Sequence, residues 1–162
     1  MAARQEATPT RAADILGLVV FGALVAIAAL IGGLAAAGSS AEYDALEQPV
    51  WAPPSWLFTP VWTILYIAIA VAAWLVWRRA GVSWPLLPWI IQLVLNAAWT
   101  PLFFGMGEYG WAAVEFCVMW LAIGATVFAF WRVHRGAALL MIPYWVWVTY
   151  AGALNVAIWS LN

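Results

Sequence analysis

Residues 48–66 read QPVWAPPSWLFTPVWTILY, with four prolines and three tryptophans leading directly into an apolar run. Proline fixes its own φ and restricts the residue before it, so the stretch predicts a stiff segment. Pro60 is typical of a helix start. Beyond the prolines, Phe58, Trp62 and Tyr66 recur at i, i+4 and i+8, which puts three rings on one face of the predicted helix.

Composition identifies the solvent of this helix as lipid. Of 162 residues, 67% are hydrophobic and only 8% are charged, whereas a soluble domain carries roughly 25% charged residues. The net charge is −1 and the basic residues are scattered, which argues against a nucleic-acid partner. Cys117 is the single cysteine, so an internal disulfide and a cysteine-rich metal cluster are excluded, and we expect no metal site.

The uncharged stretches predict an all-α membrane protein, a compact bundle of five transmembrane helices, because a span needs about 20 apolar residues. The predicted helices cover about 14–37, 57–77, 84–104, 109–131 and 137–160. Residues 1–12 form a polar tail, and 13–162 form a single domain. The apolar run from Ile15 to Ala37 exceeds the roughly 7–15 residues of a signal peptide, so we interpret it as the first span. Short connections predict that successive helices are antiparallel neighbours.

The charges predict the orientation. The chain has no lysine, and its six arginines fall before helix 1, between helices 2 and 3, and between helices 4 and 5: Arg4, Arg11, Arg78, Arg79, Arg132 and Arg135. Five spans place all six on one side, which the positive-inside rule makes cytoplasmic. The acids of the other side are Glu42, Asp44, Glu47 and Glu108. The N-terminus is therefore expected inside, and the C-terminus and proline-rich segment outside.

The positions of the tryptophans and amides predict which helix faces lie at the membrane interface and which face the interior of the bundle. Six tryptophans near helix ends fit an interfacial aromatic belt: Trp74, Trp77, Trp84, Trp89, Trp111 and Trp131. Gln92, Asn96 and Asn155 should face the interior, because amides are costly to expose to lipid. Rings on the same faces would line an apolar pocket with a few polar groups. The same pattern fits equally well a set of helix–helix hydrogen bonds without a ligand.

The remaining features are structural rather than catalytic in character. Gly22, Ala26, Ala29 and Gly33 make a small-residue stripe on helix 1 that predicts close helix packing, within the protomer or across a dimer. His134 is interpreted as a solvated loop residue, and Glu115 as one acid without a visible partner. The sequence holds no catalytic triad pattern, metal-ligand spacing or phosphate loop.

Four segments of the chain, in the order in which the family has them, resemble the TspO/MBR family, which comprises the tryptophan-rich sensory proteins and translocator proteins. They are YDALEQPVWAPPSWLFTPVWTILY from Tyr43, QLVLNAAWTPLFFG from Gln92, GWAAVE from Gly110 and PYWVWVTYAGALNVAIW from Pro143. Together they extend from residue 43 to residue 159, which is far more specific than one short motif.

The resemblance implies a homodimeric protein with five transmembrane helices. For this chain we expect a bacterial cytoplasmic membrane. The resemblance also implies a tetrapyrrole ligand, protoporphyrin IX or heme, with no intrinsic cofactor. Position by position, the implied ligand-binding residues are Trp51, Phe58, Trp62, Tyr66, Asn96, Trp99, Phe103, Trp147, Ala151 and Asn155. The prolines would then make a stiff lid that loses little entropy when it closes on a ligand.

Two alternatives to simple binding stay open. Certain bacterial relatives resemble light- and oxygen-dependent porphyrin-degrading enzymes, and the tryptophans linked to that activity correspond to Trp62 and Trp147, the catalytic candidates. The other alternative is transport of porphyrin or lipid, although the sequence lacks the inverted repeats and broken helices of many transporters.

The chain departs from the family pattern at three positions. Gln48 stands where many members have a lysine, and Glu42 where they have an aromatic residue, so the outer segment offers no cation to porphyrin propionates. The tyrosine of the sterol-contact pattern corresponds to Val156, and no basic residue follows Arg135. This pattern argues against cholesterol as a ligand.

Overall fold

The computed structural model describes residues 10–102 and 109–162, and within them every regular element is a helix. The elements are α1 (Arg11–Ala35), α2 (Ser39–Ala45), a 3-10 turn (Ser55–Leu57), α3 (Phe58–Ala80), α4 (Leu86–Thr100), α5 (Tyr109–Trp131) and α6 (Arg135–Leu161). The predicted all-α class is confirmed, with five long helices whose ends lie close to the predicted ones. Residues 103 and 104 of the third predicted helix lie outside the described residues. The short α2 and the 3-10 turn were not predicted.

The long helices present apolar surface outward. Four segments are long and apolar enough to cross a membrane: Arg11–Ala35, Ser55–Ala80, Val114–Trp131 and Arg135–Leu161. Helix α4 is a shorter apolar helix of 15 residues. Large apolar side chains are exposed along these helices, among them Leu16, Ile64 and Phe128. In water such a surface would be a liability, whereas in a bilayer it faces lipid.

The helices close into a ring in the order α1, α3, α6, α5, α4 and back to α1. Successive helices are therefore not always neighbours. Helix α3 packs mainly on α1 and α6 and touches α4 only slightly, so the prediction that every successive pair packs together is wrong for α3 and α4. Short loops limit how far apart two helix ends can be, but they do not fix which faces meet. This ring order brings α3 and α6 side by side.

Local signals set the helix ends. Thr10 caps α1 by accepting a hydrogen bond from Ala13 N–H at 3.4 Å, as a polar N-cap should. Gly81 follows the last residue of α3, and its φ of 63° suits a residue without Cβ. The Gly81 N–H donates to the Trp77 carbonyl at 2.7 Å. Arg78, in the last turn of α3, pairs with Asp14 of α1 at 2.8 Å, so the start of α1 and the end of α3 lie at the same end of the bundle.

Trp89 lies at the centre of the core rather than at the membrane interface. Its side chain is fully buried, and its indole N–H donates to the Ile69 carbonyl on α3 at 3.2 Å. Phe21 of α1 packs edge-on against it with ring centroids 5.5 Å apart. The belt assignment of Trp89 is thus wrong. Its position near a helix end predicted an interfacial depth, but the side chain points inward and joins three helices.

The other belt residues divide by exposure. Trp84, Trp111 and Trp131 are exposed, and their interfacial role stays a prediction. Trp74 and Trp77 pack against the core, and the Trp74 indole N–H donates to the Asp14 carbonyl at 3.0 Å.

The small-residue stripe of α1 faces away from the bundle. A Cβ added at Gly22 or Gly33 would meet no atom within 4 Å. The buried face of α1 instead carries Gly17, Phe21, Val25, Ala28 and Gly32. The prediction that the stripe packs within the protomer is therefore wrong, and the alternative, that it makes contact across a dimer, stays a prediction.

Gly17 and Gly22 provide a matched pair for testing this packing. A Cβ at Gly17 would lie 2.3 Å from Cζ3 of Trp77, so Gly17→Ala forces the indole to move. Overpacking of this kind costs about 1–3 kcal/mol, and we expect a lower melting temperature in detergent. Gly22→Ala, in open space on the same helix, should leave the melting temperature equal or higher, because alanine is the better helix former. Equal destabilisation by both changes would contradict the packing described for α1 and α3.

Candidate ligand-binding site

Residues 36–57, which join α1 to α3, fold into a compact cap that we call the lid. It begins with a sharp reversal at Gly38, whose φ of 93° favours glycine, and α2 follows at once. The Tyr43 hydroxyl donates to the Pro53 carbonyl at 2.9 Å, and Gln48 Nε2 donates to the Tyr43 carbonyl at 2.5 Å. The prolines thus belong to a folded lid, which contains a helix that the polar sequence of residues 39–45 did not reveal.

Hydrogen bonds from Tyr150 on α6 and from Asn162, just after its last residue, hold the lid in place. The Tyr150 hydroxyl donates to the Trp51 carbonyl at 2.9 Å. The side chain of Asn162 closes a two-bond clamp on Glu47, accepting from its N–H and donating to its carbonyl, both at 3.0 Å. These bonds are exposed and therefore contribute little to stability, since water can replace them. They suit a cover that can open.

Tyr43 also keeps its proton over the physiological range. Burial raises the pKa of the Tyr43 hydroxyl above 10.0, and the nearby Tyr150 and Asp44 raise it further. Because the folded-state pKa is the higher one, the contribution of this hydroxyl to stability is complete below pH 10.0 and is lost as the pH rises through the folded-state pKa. The Tyr43–Pro53 bond is therefore intact at neutral pH.

Where the lid meets α3 and α6, five aromatic residues form a continuous chain of ring contacts that we call the upper cluster. Phe58 touches Tyr43 at 5.3 Å between centroids and Trp147 at 5.8 Å. Tyr150 touches Trp147 at 5.5 Å and Trp51 at 5.6 Å. Three of the predicted site residues, Trp51, Phe58 and Trp147, thus lie together although they come from the lid, α3 and α6.

Deeper in the bundle, a second group that we call the lower cluster combines two hydrogen bonds with ring contacts. Asn96 Oδ1 accepts from the Tyr66 hydroxyl at 2.8 Å, and Asn96 Nδ2 donates to the Tyr144 hydroxyl at 3.1 Å. Trp62 lies 5.3 Å from Tyr66 and 6.1 Å from Tyr144 between ring centroids. The four side chains close a loop across α3, α4 and α6, so Asn96 makes the helix–helix hydrogen bonds that its sequence pattern allowed.

The other predicted residues do not belong to either cluster. Trp99 is half-buried and lies 6.4 Å from Phe116 of α5 between ring centroids. Ala151 and Asn155 are half-buried on α6, and no hydrogen bond joins Asn155 to either cluster in the part of the chain described. Phe103 lies outside the described residues. Gln92 is fully buried as expected, but its Nε2 donates to the Trp89 carbonyl of its own helix at 3.0 Å.

Gln92 Oε1 and Trp145 Nε1 are buried without a hydrogen-bond partner among the described residues, and so are two further groups that bear on the proposed site. One is the indole N–H of Trp147, in the upper cluster. The other is the carboxyl group of Glu115 on α5, next in sequence to Phe116. A buried polar group left unpaired typically costs about 1–3 kcal/mol, so a ligand atom that paired with either would gain that amount.

The residues predicted to bind the ligand did not include Tyr144 or Tyr150, which the structure brings into contact with Trp62 and Trp147. Tyr144 shares the spacing of Trp147 and Ala151 on α6 and is fully buried. Tyr150 connects the lid to Trp147, a link that depends on the fold of the lid. The helical spacing carried a signal for Tyr144, whereas the contact from Tyr150 to residue 51 spans 99 positions and leaves no local pattern.

A family model for the TspO/MBR family matches residues 20–160, a range that begins within α1 and contains both clusters. The chain belongs to the TspO/MBR family. It is an integral membrane protein, as its family and its apolar helices show.

Relatives of this family match over most of the chain. Protein CrtK of Rhodobacter capsulatus is 36% identical over 155 residues, covering 91% of this chain and 95% of its own. Tryptophan-rich protein TspO of Chlorobaculum tepidum is 41% identical over 124 residues, covering 74% and 78%. The translocator protein of Bos taurus is 38% identical over 125 residues, covering 74% of each chain. Similarity to bacterial and animal members confirms the resemblance drawn from the four sequence segments.

Proposed function

We propose that this protein binds a tetrapyrrole, such as protoporphyrin IX or heme, beneath the lid and between α3, α4 and α6, and acts in porphyrin handling or stress sensing. The observation that carries the proposal is the upper cluster, in which rings from three segments pack together and the buried indole N–H of Trp147 has no hydrogen-bond partner among the described residues. Aromatic rings stack on a flat macrocycle, and the Trp147 N–H can donate to an acceptor on it.

In the structure the aromatic rings pack on one another, so a ligand must replace ring contacts rather than enter an empty space. Phe58 and Tyr150, which flank Trp147, would have to separate to admit a macrocycle. The lid must open first, and its exposed clamp at Asn162 suits that step. Binding then exchanges ring–ring contacts for ring–macrocycle contacts and supplies an acceptor for Trp147.

The lid offers the propionates of such a ligand no cation. Its described acids include Asp44 and Glu47, and the amide of Gln48 is already bonded to the Tyr43 carbonyl. Asp44 in turn accepts from the Ser55 hydroxyl at 3.0 Å. Affinity should therefore come from the face of the macrocycle rather than from its carboxylates.

The orientation that we propose places this site toward the outer side of the membrane. The Arg78–Asp14 pair brings the ends of α1 and α3 together, and Arg79 shares one cleft with Arg132 and Arg135. These arginines lie at the end of the bundle away from the lid. The positive-inside rule makes that end cytoplasmic, with the lid and Asn162 outside. Protease protection of a C-terminal tag in right-side-out vesicles would contradict this orientation.

Titration with protoporphyrin IX, followed by the shift of the porphyrin absorption band, tests the function. We expect saturable binding to the wild type and a dissociation constant about threefold to tenfold higher for Trp62→Phe, since an aromatic pair contributes about 0.5–1.5 kcal/mol. Trp62 touches both Tyr66 and Tyr144, so the smaller ring leaves part of the lower cluster uncovered.

The matched control is Trp84→Phe, because Trp84 is exposed and lies between α3 and α4, away from the lid. It should bind porphyrin like the wild type. Equal dissociation constants for the wild type and both variants would remove Trp62 from the site, and no saturable binding to the wild type would refute the function.

A further inference from the structure

At the end of the bundle opposite the lid, an open cavity of about 610 Å³ lies between the last turn of α3 and the loop that joins α5 to α6. We call it the arginine cleft. Its lining comes from the last turn of α3, the end of α5 and the start of α6: Arg79, Trp131, Arg132, Val133, His134, Arg135 and Gly136. Trp147, in the upper cluster, lies twelve residues beyond Arg135 on α6, about 18 Å along the helix. The cleft is therefore separate from the proposed tetrapyrrole site.

The cleft concentrates positive charge. Three of its seven lining residues are arginines, and its lining contains no acidic side chain in the part of the chain that the structure describes. Arg78, by contrast, is neutralised by Asp14 at 2.8 Å, the single ion pair among the described residues. Among the described residues, Arg79, Arg132 and Arg135 therefore form no ion pair, although all three line one concave surface.

The loop that carries Arg132 and leads into α6 at Arg135 is held in place by hydrogen bonds. The N–H groups of Val133 and His134 both donate to the Phe130 carbonyl, at 3.0 and 2.7 Å. His134 Nδ1 then accepts from Ala137 N–H at 3.1 Å and caps α6. The positive end of the α6 dipole therefore faces the cleft and adds to the attraction for an anion.

The ring of Trp131 forms one side of the cleft. The guanidinium carbon of Arg135 lies 5.9 Å from the centre of the Trp131 ring, a cation–π distance. Trp131 is exposed and stands at the end of the apolar helix α5, where an amphipathic ring lies at headgroup depth. If Trp131 has its predicted interfacial position, we expect the arginines at the level of the lipid phosphates.

We propose that the arginine cleft binds a phosphate group. Guanidinium groups match phosphate oxygens through paired hydrogen bonds, and three of them can approach one phosphate from different elements. The phosphate belongs either to an anionic phospholipid headgroup or to a soluble ion at the same face of the membrane. The chemistry of the site is the same in both cases.

Native mass spectrometry of the purified protein with phosphatidylglycerol tests the lipid source. We expect one phosphatidylglycerol retained in preference to phosphatidylcholine, and retention reduced about tenfold or more in Arg79→Gln/Arg132→Gln/Arg135→Gln, since each basic residue near an anionic surface contributes about fivefold. The control is Arg11→Gln, an exposed arginine at the same end but outside the lining. Arg132→Gln and Arg135→Gln singly, each expected to reduce retention about threefold to fivefold, replace the triple variant if it does not fold.

A second arm uses inorganic phosphate alone and follows the melting temperature against chloride at equal ionic strength. If phosphate raises the melting temperature of the wild type and of Arg11→Gln but not of the arginine variants, the cleft binds soluble phosphate. Retention of phosphatidylglycerol without such a rise supports the site with a lipid source. The proposal is overturned if the arginine variants behave like the wild type in both arms. It is also overturned if Arg11→Gln loses as much phosphatidylglycerol retention, or as much of the rise in melting temperature, as they do. Porphyrin titration of the same variants should match the wild type, which shows that the other end of the bundle is intact.

Discussion

Replacing Asn96 by alanine should lower the free energy of unfolding by about 2 kcal/mol or more, a fall of about 4–8 °C in melting temperature. The amide of Asn96 is the shared partner of two tyrosine hydroxyls, on α3 and α6. Its removal leaves the hydroxyl of the fully buried Tyr144 without this bond, and no lipid or water molecule can readily replace it. The expected loss exceeds that of a typical membrane hydrogen bond, about 0.6 kcal/mol, because two bonds depend on one residue.

Asn155→Ala is the matched control for this change. Asn155 is also an amide of a transmembrane helix, but it is only half-buried and makes no hydrogen bond to either cluster among the described residues. Thermal unfolding in detergent should separate the two variants clearly. Combining Asn96→Ala with Tyr66→Phe should cost less than the sum of the single changes, since both remove the same bond. Equal melting temperatures for Asn96→Ala and Asn155→Ala would contradict the lower cluster.

Ala151→Thr should weaken protoporphyrin IX binding about tenfold, corresponding to about 1.4 kcal/mol. Ala151 lies one turn from Trp147 on α6, between Tyr150 of the upper cluster and Gly152. Ala151 is half-buried, so a branched side chain at this position should take up space that the ligand needs.

Ala153→Thr serves as the control, because Ala153 is exposed on the same helix. Melting temperatures with and without saturating protoporphyrin IX separate a pocket effect from a packing effect. If Ala151 lines the site, the ligand-induced rise in melting temperature should shrink for Ala151→Thr and not for Ala153→Thr. A rise equal to that of the wild type would exclude Ala151 from the site.

Composition and charge were sufficient to predict the helices, because each span had to be apolar and about 20 residues long. The inward position of Asn96 followed from the cost of an amide in lipid. The arrangement of the helices did not follow, since the loop between α3 and α4 is compatible with either neighbour. Trp89 shows the same limit, because its place near a helix end predicted its depth in the membrane but not the direction of its side chain.

The lid was the least predictable part of the candidate site. Its prolines indicated stiffness, but α2 carries neither apolar periodicity nor a side-chain cap. The bonds from Asn162 to Glu47 join residues 115 positions apart, and such pairings depend on the completed fold. The family resemblance supplied Trp51 and Trp147 as site residues, whereas the clamp that holds the lid over them emerged only from the structure.

A density map of the protein purified with protoporphyrin IX tests the central claim most directly. We expect a flat density beneath the lid, in contact with Trp62 and Trp147, with the rings of Phe58 and Tyr150 moved apart and an acceptor of the ligand near Trp147 Nε1. Density for the porphyrin on the lipid-facing surface, with both clusters packed as they are in the unliganded structure, would contradict it.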